Sequence, residues 1–114
     1  CGGEMIFSET WQRVLDGTKT ETTRFRRGYY KVGHSYAVQS GRGKAAAGRI
    51  MIDECGLDSV LNRCESHYHE EGFQSQAAML GVLLRMNGSI SSRQTVYWFR
   101  FHLISPPTPA GVSP

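Results

Sequence analysis

The sequence predicts a single α+β domain: a curled sheet or small β-barrel of about five strands, with helices inserted between the fourth and fifth. Three observations carry this prediction. Short β-branched or alternating segments recur up to Asp53. The apolar period becomes helical between Asp58 and Met86. The clearest strand, Gln94 to Leu103, comes last, with Tyr97, Phe99, Phe101 and Leu103 on one face and Trp98, Arg100 and His102 on the other. A curled sheet hides its edges, which suits five short strands in a small chain.

The elements follow in order. Met5-Ile6-Phe7 is a short apolar strand. Ser8 is expected to cap a helix whose inner face is Trp11, Val14 and Leu15. Gly17 stops that helix, since glycine tolerates the left-handed cap conformation. Thr20 to Phe25 is β-branched and reads as a strand. After a loop with Gly28 and Gly33, Ser35 to Gln39 is a strand with Tyr36 and Val38 on one face. Ser40 to Lys44 is a glycine-rich turn. Ala47 to Asp53 is the next strand, Ile50 and Ile52 inward. Asp58 to Glu71 reads as helical. Ser75 caps a second helix through Met86, with Leu80, Leu83 and Leu84 as its buried stripe, and Gly88 ends it. Residues 1–4 read as a trimmed end or cloning remnant, residues 5–104 as the domain, and residues 105–114, which hold all four prolines, as a loose tail.

At 114 residues the chain has the length of one domain. With 39% hydrophobic and 20% charged residues it is neither a disordered tail nor a membrane protein. No apolar run approaches the roughly 18–20 residues of a bilayer span, and no signal peptide is read at the start. Cys1, Cys55 and Cys64 form no C-x-x-C pair, which favours reduced thiols in a cytoplasmic setting over a disulfide scaffold or a zinc site.

The net charge of +3 hides an asymmetry. From Lys19 to Arg49 eight basic residues face a single acid, Glu21. From Asp53 to Glu71 six acidic residues face a single base, Arg63. Ten of the thirteen basic residues are arginine, the side chain suited to bidentate phosphate contact. A basic first half fits an anionic partner such as RNA or a nucleotide, with Arg26, Arg27, Arg42 and Lys44 as phosphate contacts. The alternative is a solvated surface paired with the acidic half. Tyr29 and Tyr30, beside these arginines, are candidates for base stacking or plain loop anchors. Trp98 reads as a core or cleft wall.

Gly17 to Arg24 is the informative stretch. Thr22 and Arg24 share strand parity, and Lys19 can join them if it lies in the turn before the strand. A hydroxyl, an ammonium and a guanidinium on one cavity can hold an anion or run nucleophilic chemistry. They can equally be an ordinary β-branched strand with a paired arginine. His67 and Glu71, at i,i+4, would suit two metal ligands, but no third is evident, so no metal and no cofactor are expected.

The pattern Gly17-x-Lys19-x-x-Thr22-x-Arg24 resembles the hallmark of the ASCH family, a branch of the PUA-like superfamily. Tyr30 to Gly33, Gly48 to Ile52, Glu70 to Phe73 and Tyr97 to Phe101 resemble further family segments in the expected order, over residues 5–104. The acid often found after the lysine–glycine segment is His34 here. The resemblance implies a small β-barrel with a cleft for RNA or a modified nucleobase. It is strongest to small bacterial members that remove the acetyl group of acetylcytidine. Carried over from them, Lys19, Thr22 and Glu71 are the catalytic set, and His67 has a counterpart. Arg24 and Tyr30 would line the same cleft as substrate contacts. The rival expectations are a non-catalytic RNA-binding module and a ribonuclease.

Overall fold

A computed structural model describes residues 4–7, 10–91 and 93–105. The elements run β1 (Glu4–Ile6), α1 (Trp11–Leu15), β2 (Glu21–Arg24), β3 (Ser35–Gln39), β4 (Ala46–Ser59), α2 (Val60–Ser66), α3 (Gln76–Asn87) and β5 (Thr95–Ser105). Ser8 and most of the proline-rich tail lie outside the described residues. Glu4, set aside in the sequence reading, is part of β1 and pairs with Ala37.

The five strands form one mixed sheet in the order β1-β3-β4-β5-β2. β1 is parallel to β3, and the remaining pairs are antiparallel. Among the described residues no ladder joins β1 to β2, so backbone pairing does not close the sheet into a barrel. The two edges meet through a side chain instead: Arg24 Nη2 on β2 donates to the Ile6 carbonyl on β1 at 2.8 Å.

Three expectations on the inserted region are corrected. β4 continues six residues past Asp53, to Ser59, because β5 is long enough to pair with it as far as Ser59 opposite Thr95. The helix expected from Asp58 to Glu71 is therefore only Val60–Ser66, capped by Ser59, whose hydroxyl accepts from Asn62 N at 3.1 Å. His67 closes it, so His67 and Glu71 do not share a helical face. α3 is bounded as expected, by the Ser75 cap and by Gly88 at φ 76°. Its buried stripe is Met79 and Leu83, while Leu80 and Leu84 face outward. α1 starts after Thr10, which makes no side-chain capping bond.

The main core is built on the inner faces of β3, β4 and β5, with Met5, Phe7, Val14, Tyr36, Val38, Ile50, Ile52, Phe99 and Phe101. A second cluster, with Val60, Cys64, Met79, Leu83 and Val96, seats α2 and α3 against the far end of β4 and β5. That seating carries the segment after α2 back toward β2. No helix among the described residues is long and apolar enough to cross a membrane.

Candidate functional site

The site forms where the chain after α2 crosses the start of β2. The Glu70 carbonyl accepts from Thr20 N at 2.7 Å and Glu21 N at 3.0 Å, which pins the two segments together. Gly72 allows the approach. Its φ is +84°, and a Cβ there would sit 3.1 Å from Lys19 Cβ, so a side chain is disfavoured on both counts.

Among the described residues seven polar or charged ones are buried, including Lys19, Glu21, Thr22, Thr23, Arg63 and Glu71. Glu71 is the hub. Its Oε1 accepts from Thr23 N at 3.0 Å, and its Oε2 accepts from the Thr23 hydroxyl and from Arg63 Nη2 at 2.6 Å. Arg63 Nη2 also donates to Glu21 Oε1 at 2.9 Å. Arg100 Nε reaches Glu21 Oε2 at 3.3 Å, and His67 Nδ1 lies 3.3 Å from Glu21 Oε1 without hydrogen-bond alignment. Buried charges are tolerated when paired and hydrogen-bonded in this way. Trp98 lies beside the network, with the Arg63 and Arg100 guanidiniums 5.7 and 5.8 Å from its ring.

Lys19 lies in the turn before β2, as its parity requires. Its Nζ donates to the Glu71 carbonyl at 2.7 Å and is 3.8 Å from Glu71 Oε1. The Phe7 and Phe73 rings lie within 6 Å of the ammonium. Burial lowers the Lys19 pKa to about 8; Glu71 opposes the shift, and Arg24 and Arg63 reinforce it. The Arg24 guanidinium is also pushed below its ordinary value by burial.

Lys19, Thr22, Arg24 and Glu71 line one cavity of about 200 Å³, walled by Phe7, Phe73 and the α3 side chains Leu83 and Met86. The four side chains therefore share one cavity, but among the described residues Lys19 Nζ is hydrogen-bonded to the Glu71 carbonyl and not to Thr22. Tyr30 and Arg42 line a neighbouring cavity with Arg24. Arg26, Arg27 and Lys44 are exposed and line neither cavity.

Sequence reasoning missed Arg63, Glu21 and Thr23. A signal was present. Glu21 is the lone acid of the basic stretch and Arg63 the lone base of the acidic one, and the structure pairs them. Cys55 and Cys64 are both free.

No family model and no curated protein matches the sequence. Solved structures do. A protein of Enterococcus faecalis V583 from the family described as DUF984 superposes with TM-score 0.70 at 14% identity, over 99% of this chain and 87% of that one. The ASCH domain of Lactobacillus crispatus gives TM-score 0.69 at 15% identity, over 91% of this chain and 79% of that one. ASCH from Zymomonas mobilis gives 0.65 at 16%, over 99% and 82%. The chain has the ASCH-domain fold. In this ASCH fold the cavity opens beside the β1–β2 gap, and the motif residues Lys19, Thr22 and Arg24 all reach it.

Proposed function

We propose that this cavity binds a modified nucleoside, free or within RNA, and hydrolyses the amide of acetylcytidine. The observation that carries the reading is Lys19, buried in the cavity that Thr22 lines, with a pKa near 8. A lysine of ordinary pKa would hold its proton at neutral pH. One near 8 is neutral in a useful fraction of molecules and can act as a base.

Thr22 Oγ1 attacks the acetyl carbonyl as Lys19 Nζ takes the hydroxyl proton, directly or through one water. The C–N bond breaks, and the proton passes to the departing amine of cytidine. Water then hydrolyses the acetyl ester on Thr22, releasing acetate. Glu71, held in place by Arg63 and Thr23, fixes Lys19 through its carbonyl and sets its carboxylate near the ammonium. Arg24 anchors a carbonyl or anionic group of the substrate.

A second reading, a non-catalytic nucleoside reader, is favoured by one contact: the Lys19 ammonium bonds to the Glu71 carbonyl and not to Thr22. The test is chromatographic turnover of acetylcytidine by wild type, Lys19→Ala and Thr22→Ala. Release of cytidine lost in both variants, with activity rising through about pH 8, supports the hydrolase. Unchanged turnover in either variant overturns the assignment, and binding without turnover selects the reader.

A further inference from the structure

The cavity beside Lys19 and Thr22 encloses about 200 Å³. Pockets that swallow a drug-sized ligand run to roughly 300–1,000 Å³. An acylated base fits the smaller space, whereas a ribose and its phosphate must leave it. Two neighbouring cavities share its walls. One shares Thr10, Phe73 and Val82 and runs along α3, where Arg13 already donates to the Gly72 carbonyl. The other, of about 470 Å³, shares Ile6 and Arg24.

The second of these is equipped for a nucleotide. Arg24 is the wall common to both spaces. Its Nη2 is bonded to the Ile6 carbonyl, but its buried Nε has no acceptor among the described residues. Arg42, on the exposed glycine-rich turn, lines the same cavity. Tyr29 and Tyr30 lie 4.8 Å apart at 32°, and their hydroxyls donate to the Glu4 carbonyl at 2.7 and 3.2 Å, which fixes both rings. Tyr30 is packed inward against Tyr36 and Phe99, whereas Tyr29 is 55% exposed. Glu4 is the one acid among the residues lining this cavity.

We propose that this second cavity is a phosphate and stacking subsite. It takes the phosphate of the nucleotide whose base occupies the first cavity, between Arg24 and Arg42, and offers the Tyr29 ring to the neighbouring base. Two arginines provide planar, charge-assisted donors for phosphate oxygens. An aromatic ring that is already anchored stacks a base of any sequence. This rests on the nucleoside reading of the first cavity. The phosphate could belong to a free mononucleotide or to an RNA linkage, and the experiment separates the two.

Calorimetric titrations would use Thr22→Ala, so that binding is read without turnover. The probes are acetylcytidine, its 5′- and 3′-monophosphates, and dinucleotides carrying acetylcytidine on either side. At low salt one monophosphate should bind at least about tenfold more tightly than the nucleoside, and adding Arg42→Ala should remove most of that gain. A further gain of several-fold with a dinucleotide, lost on adding Tyr29→Ala, assigns an RNA strand. A gain complete in the mononucleotide assigns a free nucleotide and removes the stacking role. Nucleoside binding to which neither phosphate nor a second base adds anything overturns the subsite alone. A phosphate gain lost with Arg13→Ala instead of Arg42→Ala also overturns it, moving the phosphate to the other cavity. Failure of every probe to bind overturns the nucleoside reading as well.

Discussion

Arg63 Nη2 lies 2.6 Å from Glu71 Oε2, and this bond fixes the carboxylate that faces Lys19. The two residues are eight apart in sequence, on either side of the turn that follows α2. Arg63 is 1% exposed and also holds Glu21. Its loss leaves two carboxylates short of a partner in a water-poor environment.

Arg63→Ala should therefore destabilise the fold by about 3–5 kcal/mol, the usual cost of removing one partner of a buried ion pair. The double variant Arg63→Met, Glu21→Gln removes one charge of each sign and should recover much of that loss. Urea denaturation of the two proteins measures the difference. Equal destabilisation in both would show that packing, not charge, sets the cost.

Lys19 gives the stability a pH dependence. Its pKa falls from 10.5 to about 8 on folding. Between those values the unfolded chain binds more protons than the folded one, so stability rises with pH. Below pH 8 both states are protonated and the full cost of burying the ammonium is present, about 3 kcal/mol at 1.36 kcal/mol per pH unit. Unfolding free energy should increase from pH 8 to about 10, and Lys19→Met should flatten the increase. Tyr30, raised above its ordinary value by burial, acts in the opposite sense above pH 10. Urea melts at three pH values test the slope.

Thr22 and Thr23 are adjacent and buried alike, but their hydroxyls have different duties. Thr23 Oγ1 donates to Glu71 and accepts from Arg63 Nε at 3.1 Å. The Thr22 hydroxyl has no such partner among the described residues and lines the cavity. Thr23→Ala should cost about 1–3 kcal/mol by leaving buried groups short of a partner. Thr22→Ala should change stability by no more than about 1 kcal/mol and abolish acetylcytidine turnover. Paired thermal melts and turnover assays separate the two roles.

Gly56 on β4 lies against Trp98 on β5. A Cβ there would come within 2.9 Å of Trp98 Nε1 and 3.0 Å of two further ring atoms. Gly56→Ala should push the indole off its place beside Arg63 and Arg100, destabilising by about 1–3 kcal/mol, the range for overpacking. Tryptophan fluorescence during denaturation reports both effects, and an unshifted midpoint would show that the ring gives way freely.

The exposed arginines predict a salt dependence. If Arg26 and Arg27 contact RNA phosphates, log affinity should fall with log salt by about 0.7 per contact for single strands. Arg26→Ala and Arg27→Ala should each reduce that slope without changing sequence preference. A slope unchanged by either would exclude them from the interface.

Features governed by neighbours in the chain were determined by the sequence itself. The Ser75 cap and Gly88 bound α3, because a cap is a bond across three residues and glycine alone enters φ 76° at no steric cost. Alternation along β5 put Phe99 and Phe101 in the core and Arg100 outside, because a strand has a period of two. The spacing of Gly17, Lys19, Thr22 and Arg24 named three residues that share one cavity. Tertiary structure decided the rest. β4 runs on to Ser59 because its partner β5 is there to pair with it, and this shortened the helix expected after Asp58. Leu80 and Leu84 read as core on period alone, but the face of α3 that meets the sheet carries Met79 and Leu83. Glu71 is joined to Thr23 across 48 residues, and Arg63 to Glu21 across 42. Local patterns cannot encode such pairings, because their energy exists only once burial has removed the water that would otherwise solvate each charge.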